Sequence, residues 1–471
     1  MGAVRAIDLR LGRGLGEVAA AALAAAGFGA LLGRGGLPAL VVAALFAAVV
    51  GVVIGLARPQ HAFAVALATM VAIPFSVARG VGPILIEPTV IALWLVAVAM
   101  IALTMIRRRP IALGPIEFGV ALFAIANLAA VIGGARDPIE FERQWFIWLA
   151  PLLATRLITS ELDDGPELVA RLLVGAALVL VPFVAFEAYL GVNPFSVVFP
   201  PPPDSVFGAD LGRLGGTRVQ ASFGHPLALA MGLASAAVLA AALSLDADSR
   251  AARRGWSGAA LVLTLAQSLT LARTGWLILA VGGVVLFATR PRRFLNPGAL
   301  TALAVLALAF ASLGVFGSAR ALLLDPAGEA GGEAAASADY RDQLISYALT
   351  GDVIEPFGRE RPLVGPGANR SLDNEFVVQA SRWGWVSASM LAVIGLIAAA
   401  TTIRLRRLAA VRVALPALAF ANLAALTVVA LLTQQQLLVW ILVAAAAGTA
   451  AIDRRERRES RTAAELLSVE R

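Results

Sequence analysis

Uninterrupted apolar stretches of about twenty residues recur along nearly the whole chain, and no other sequence feature limits the fold as strongly. At 1.5 Å per residue such a stretch, as a helix, matches the ~30 Å hydrocarbon core of a bilayer. Spans read this way fall at 18–32, 37–57, 61–78, 88–106, 115–133, 144–158, 168–190, 226–243, 257–271, 275–289, 298–317, 374–401, 413–432 and 437–452. Composition agrees, with 59% of the 471 residues hydrophobic and 15% charged, where a soluble domain carries about a quarter charged. A soluble enzyme, a nucleic-acid binder and a disordered chain are excluded. The expected fold is an all-α polytopic membrane protein of about 12–14 transmembrane helices. Its single transmembrane domain covers 18–452, between a short N-terminal segment 1–17 and a tail 453–471. No repeat with a period of 20–50 residues is visible.

The 38 basic residues are all arginine, against 31 acidic residues. Their clustering between apolar runs marks them as topology signals. Placing the N-terminus in the cytoplasm puts Arg107, Arg108 and Arg109 there, with Arg250, Arg253 and Arg254, then Arg290, Arg292 and Arg293, then Arg404, Arg406, Arg407 and Arg412, and finally Arg454, Arg455, Arg457 and Arg458. One orientation satisfies every cluster. It predicts a multi-pass protein of the cytoplasmic (inner) membrane with both termini inside. Arg5, Arg10 and Arg13 before the first run resemble a signal peptide, but with so many spans downstream that run reads as an uncleaved first helix. Cysteine is absent and there are two histidines, His61 and His225, so thiolate chemistry and a His-rich metal site are not expected.

The same orientation leaves two long loops outside, about 191–224 and 318–373. The first holds the run Pro200 to Pro203, stiff in polyproline form. The second opens on a Gly/Ala/Glu-rich stretch, 327–338, and continues into an expected amphipathic helix over 340–350. Chemistry belongs on this face, where the long loops lie. The sharpest local signal is Leu269-Thr270-Leu271-Ala272-Arg273-Thr274-Gly275. An arginine between two apolar stretches either holds a partner or anion, or snorkels to the interface from a tight turn. Both readings stand from composition alone. Glu187, Asn127 and Gln267 fall in or near spans, where interhelical hydrogen bonding and substrate contact are equally open. Arg382 with Trp383 and Trp385 reads as an aromatic belt or as a sugar-stacking cluster.

Further along come Tyr340-Arg341-Asp342, Pro362-Leu363-Val364-Gly365-Pro366-Gly367 and Asp373-Asn374-Glu375-Phe376. Upstream lies Gln220-Ala221-Ser222-Phe223-Gly224-His225-Pro226-Leu227, preceded by Arg218. In this order the pieces resemble the O-antigen ligase and polysaccharide polymerase superfamily, over roughly 218–394. The resemblance implies a GT-C-like helical bundle with a large extracytoplasmic loop carrying short helices. It implies a metal-independent glycosyltransferase, without cofactor, that takes a glycan from an undecaprenyl-pyrophosphate carrier and joins it to a glycan acceptor at the outer face of the cytoplasmic membrane. Membrane lipids, and a chain-length regulator or flippase, are the partners it suggests.

By resemblance, Arg273 and Arg341 take the pyrophosphate role, with Arg218, Arg361 and Arg370 as further outer-face arginines. Arginine suits that role because it stays charged and binds phosphate oxygens bidentately. Asp373 stands where the ligases have a histidine, as the acceptor for the sugar hydroxyl's proton, followed by Asn374 and Glu375; an Asp-Asn pair favours a polymerase over a ligase. Against this, Asp373 is equally placed to cap the next helix with Glu375 favourable to its dipole. His225 likewise reads as a cap before Pro226 or as a substrate contact. Transfer of finished glycan to a lipid, wall or protein acceptor is the alternative enzyme reading, and a lipid-linked oligosaccharide flippase the alternative of another class.

Overall fold

A computed structural model of the chain describes residues 56–74, 79–81, 84–108, 111–162, 164–200, 218–291, 343, 346, 355–358, 374–427, 429–431 and 433–469. The expected spans 18–32 and 298–317 and nearly all of 37–57 lie outside these residues, as do the stretch 327–338 and, Gln343 and Ser346 apart, the helix expected over 340–350. The described helices are α1 Pro59–Ala72, α2 Pro88–Ile106, α3 Pro115–Ile132, α4 Pro138–Glu161, α5 Gly165–Leu190, α6 Pro194–Val198, α7 Pro226–Asp246, α8 Arg250–Ser268, α9 Arg273–Thr289, α10 Glu375–Trp383, α11 Trp385–Leu405, α12 Ala410–Ala425 and α13 Thr433–Val469. A two-stranded hairpin, β1 Arg79–Val81 with β2 Ile84–Ile86, links α1 to α2. Among the described residues, six helices are long and apolar enough to cross a bilayer: α2, α3, α5, α7, α11 and Gln434–Leu466 within α13. The chain is a helical, multi-pass membrane protein.

Local chemistry sets the helix starts. Proline opens α1, α2, α3, α4, α6 and α7, where its missing N–H costs nothing and its fixed φ suits the first turn. Side chains of Glu87, Asp137, Asn193, His225, Ser249 and Asn374 then accept backbone N–H groups at the starts of α2, α4, α6, α7, α8 and α10.

The bundle is built around α7 and α13. Their apolar windows are 83% and 89% buried, against 33–44% for α2, α3, α5 and α11, whose outer faces are left for lipid. Close approach is made by small residues. Gly448 of α13 lies against Thr159 of α4, Gly282 of α9 against Val238 of α7, and Gly119 of α3 against Ile394 of α11. Between α3, α4 and α13 the rings of Phe123, Trp145, Trp148 and Trp440 form one aromatic cluster, with centroids 5.1–6.0 Å apart. Asn127 of α3 accepts a hydrogen bond from Ser387 of α11, an interhelical bond.

Alternating helix directions bring the interhelical arginine clusters to one end. Arg156 pairs with Glu117 at 2.5 Å, Arg404 with Asp453 at 2.9 Å and Arg412 with Glu456 at 2.9 Å. Arg290 donates to the Leu408 carbonyl, Arg455 to the Ser160 carbonyl, and Asp246 accepts the N–H groups of Ala410 and Val411. The opposite end carries the loops.

The structure departs from the expected boundaries at several places. The span 374–401 is two helices: Gly384 sits at φ 89° and ψ 163°, a region open to glycine alone, and its Cα packs onto the Pro356 carbonyl so tightly that a Cβ would overlap it. α12 stops at Ala425, well short of 432. α8 begins at Arg250 rather than 257, carrying its arginines on an exposed first turn, and α13 continues without a break through the tail to Val469. Gly384→Ala is expected to destabilise the fold by about 1–3 kcal/mol, seen as a lower melting temperature by tryptophan fluorescence in detergent.

Candidate active site

Three non-helical segments meet at the loop end, and each is built by specific buried polar groups. In the first, Gln220–His225, the backbone makes a single 3-10 turn with Ala221 at φ 45° and Gly224 at φ 67°. Irregular backbone at this depth needs partners for its polar groups. Glu187 supplies two, its carboxylate accepting Gln220 N–H at 3.0 Å and Ala221 N–H at 2.8 Å. Asn193 donates to the Ala221 carbonyl at 3.0 Å, and the Gln434 amide donates to the carbonyls of Ser222 and Ile73 at 3.0 and 3.1 Å. Glu187, Asn193, Gln220, Ser222 and Gln434 are all buried. The clamp delivers Arg218, half-buried, on one side, and on the other His225, whose Nδ1 caps α7 by accepting Leu227 N–H at 3.2 Å.

The second segment is the turn between α8 and α9. Leu271 takes a left-handed φ of 53°. Thr270 accepts Ala272 N–H, and Gln267, fully buried, donates across the turn to the Ala272 carbonyl at 3.3 Å. Gly275 lies flat on that Gln267 side chain, and a Cβ there would overlap its amide. The result is a rigid turn that presents Arg273 at the first position of α9, its side chain exposed. Gly282 meets Val238 nine and twelve residues along α9 and α7. At 1.5 Å per residue Arg273 and Pro226 are therefore level to within about one turn, on helices ~8–10 Å apart.

The third segment joins α12 to α13 around the start of α10. Asn374 caps α10 by accepting Val377 N–H. Glu375, buried, donates its N–H to the carbonyls of Leu426 and Val429, while its carboxylate takes Gln379 Nε2 at 2.6 Å and Leu431 N–H at 2.7 Å. Burial pushes its pKa above the ordinary carboxylate value, opposed by the hydrogen bonds from Leu431 and Gln379. Three residues beyond Leu431, Gln434 closes the circle to the first segment.

Of the residues expected from sequence, Arg218, His225, Arg273, Asn374 and Glu375 gather at this one end, on the three segments just described. His225, Asn374 and Glu375 are engaged with backbone, as caps and a brace. Arg341, Arg361, Arg370 and Asp373 lie outside the described residues. Sequence reasoning passed over Asn193 and Gln434, and left Glu187 and Gln267 undecided. Their only signal is a carboxylate or amide inside an apolar run, which a bilayer tolerates only when it is paired.

One further carboxylate at this end is unusual. Glu87, fully buried, caps α2 through Val90 N–H at 2.6 Å, and desolvation raises its pKa from 4.5 to about 7. A folded state that holds this proton more tightly than the unfolded chain gains stability as pH falls from about 7 towards 4.5, and loses it as pH rises through that window. Wild type is therefore expected to melt higher at pH 5 than at pH 8, by up to about 3 kcal/mol from this group. Glu87→Gln keeps the cap acceptor and is expected to reduce that dependence.

No protein-family model matches the chain, and no curated protein matches it.

Proposed function

We propose that the protein is a glycosyltransferase that polymerises undecaprenyl-pyrophosphate-linked oligosaccharide units at the outer face of the cytoplasmic membrane. The observation that carries this reading is the separation of the two ends of the bundle. Paired and interfacial arginines fill one end, and the positive-inside rule assigns that end to the cytoplasm. Arg273 and Arg218 stand at the other, on turns held rigid by buried polar groups. Cations presented from rigid backbone are what a departing pyrophosphate requires, since charge developing on it is then met with little reorganisation.

In the reaction, the acceptor sugar hydroxyl attacks the anomeric carbon of the donor glycan. A new C–O bond forms as the bond to the carrier phosphate breaks, and undecaprenyl pyrophosphate leaves with the electron pair. Arg273 and Arg341 bind the diphosphate, with Arg218, Arg361 and Arg370 adding positive potential, and Asp373 takes the hydroxyl proton. His225, Asn374 and Glu375 fix the backbone that carries these groups. The family resemblance supplies the roles of Arg341, Arg361, Arg370 and Asp373. The test is reconstitution of the full chain in nanodiscs with lipid-linked repeat units. Longer lipid-linked glycans, with no compartment to cross, support the reading and exclude a flippase. Their absence from well-folded protein overturns it.

A further inference from the structure

Arg136 and the aromatic residues around the Gly384 break take no part in the chemistry above. In the turn from α3 to α4, at the loop end, Gly134, Ala135, Arg136, Asp137 and Glu140 line an open cleft of about 440 Å³, within the usual size of a small-ligand site. The Arg136 side chain is only 6% exposed. Its Nε donates to the Arg382 carbonyl at 2.9 Å and its Nη1 lies 3.3 Å from Glu140, which leaves Nη2 buried with no acceptor among the described residues. A buried donor without an acceptor is costly, and a ligand oxygen entering the cleft relieves that cost.

The same Arg382 carbonyl abuts Gly358, and Trp385 N–H donates to the Glu355 carbonyl, so the short loop piece 355–358 lies directly beside Arg136. That piece carries Phe357, 47% exposed, and its backbone pairs with the start of α11, which carries Trp385, 49% exposed, while Trp383 is buried against Phe141. The sequence pair Trp383 and Trp385 thus divides into one packing ring and one open ring. Charges in and beside the cleft leave no positive surplus: Arg136 and exposed Arg382 stand against Asp137, Glu140 and exposed Glu355. A phosphate or anionic headgroup needs surplus positive charge. A balanced set of donors and acceptors beside open aromatic faces suits the hydroxyls and the apolar ring face of a neutral sugar. The nine residues of α10 separate this cleft from Asn374 by about 13 Å, too far for the reacting sugar and close enough for sugars further along the same chain.

We propose that the Arg136–Asp137–Glu140 cleft, with Phe357 and Trp385 beside it, is a second glycan subsite that holds a neutral part of the acceptor several sugars away from the transfer point. It rests on the reading that this end of the protein handles glycans. Trp385→Ala and Glu140→Gln test it, because both side chains are about half exposed and can change with little effect on folding. In nanodiscs, each variant is expected to raise KM for acceptors of several repeats by about threefold to tenfold. For a single-repeat acceptor kcat and KM stay unchanged, and the product distribution shifts to shorter chains. Equal KM changes for long and short acceptors in folded variants overturn the proposal. So does a change that follows the phosphatidylethanolamine content of the disc instead of acceptor length, which marks a headgroup site. A second arm separates this from the proposed reaction. Lipid-free polymer from the producing cell is the probe, read by saturation-transfer NMR. If wild type forms no glycosidic bond yet binds this polymer, and Trp385→Ala abolishes binding, the cleft stands while the transferase reading falls. No binding to wild type overturns the cleft.

Discussion

Arg273→Ala is expected to lower kcat for glycosidic-bond formation by about 10²–10³-fold, the usual cost of removing one preorganised group that stabilises developing charge. The protein should remain folded. Arg273 is exposed at the first position of α9, and the turn beneath it is held by Thr270, Gln267 and Gly275, none of which the substitution touches. Arg273→Lys restores charge without the bidentate fork and should recover only part of the rate. Turnover of lipid-linked repeat units, beside a melting curve for each variant, checks both. Wild-type turnover in stable Arg273→Ala would remove the arginine from the mechanism.

Glu187→Ala is the substitution expected to damage the fold most. It strips the acceptor from two buried N–H groups at once, those of Gln220 and Ala221. At about 1–3 kcal/mol for each stranded donor the loss is about 2–6 kcal/mol, enough to leave little folded protein. Glu187→Gln separates the contributions. Its amide oxygen can replace one acceptor, but its NH₂ must then face the second N–H as donor against donor. An intermediate melting temperature is expected, with activity falling alongside it, because the 3-10 turn carries Arg218 and His225. Size-exclusion profiles in detergent and melting by tryptophan fluorescence report the result; equal stability of wild type and Glu187→Ala would show that the turn does not depend on this carboxylate.

The membrane class and many helix starts were legible because local rules govern them. Apolar length, proline at the first helical position and a capping side chain are all written within a few residues, and α2 appears at 88–106 as read. The break at Gly384 was not legible. One glycine in an apolar run looks like many others here, and what makes it a break is the Pro356 carbonyl from a distant loop. The site shows the same division. Arg273 and Arg218 stand out as charges on the loop side of apolar runs. Glu187 and Gln434 hold the turn between them from positions far apart in the chain, and neither carries a local signature of its partner. Arg136 carries no local mark of its burial either, since the Arg382 carbonyl that it reaches lies 246 residues away in the chain.

α13 links the two ends mechanically. Its 37 residues run unbroken from Thr433, beside the Gln434 that grips the Ser222 carbonyl, through exposed turns beyond Asp453 to Val469, a rod of about 55 Å. Arg404 and Arg412 moor that rod just past its midpoint through Asp453 and Glu456, and Arg455 of the rod itself holds the Ser160 carbonyl. A torque or axial load applied to the exposed portion has no hinge in which to dissipate and must be borne by those moorings and by the buried packing of the helix before it reaches the clamped turn. Fusion partners joined rigidly to this helix will therefore load the mouth of the bundle, whereas a Gly/Ser spacer decouples them.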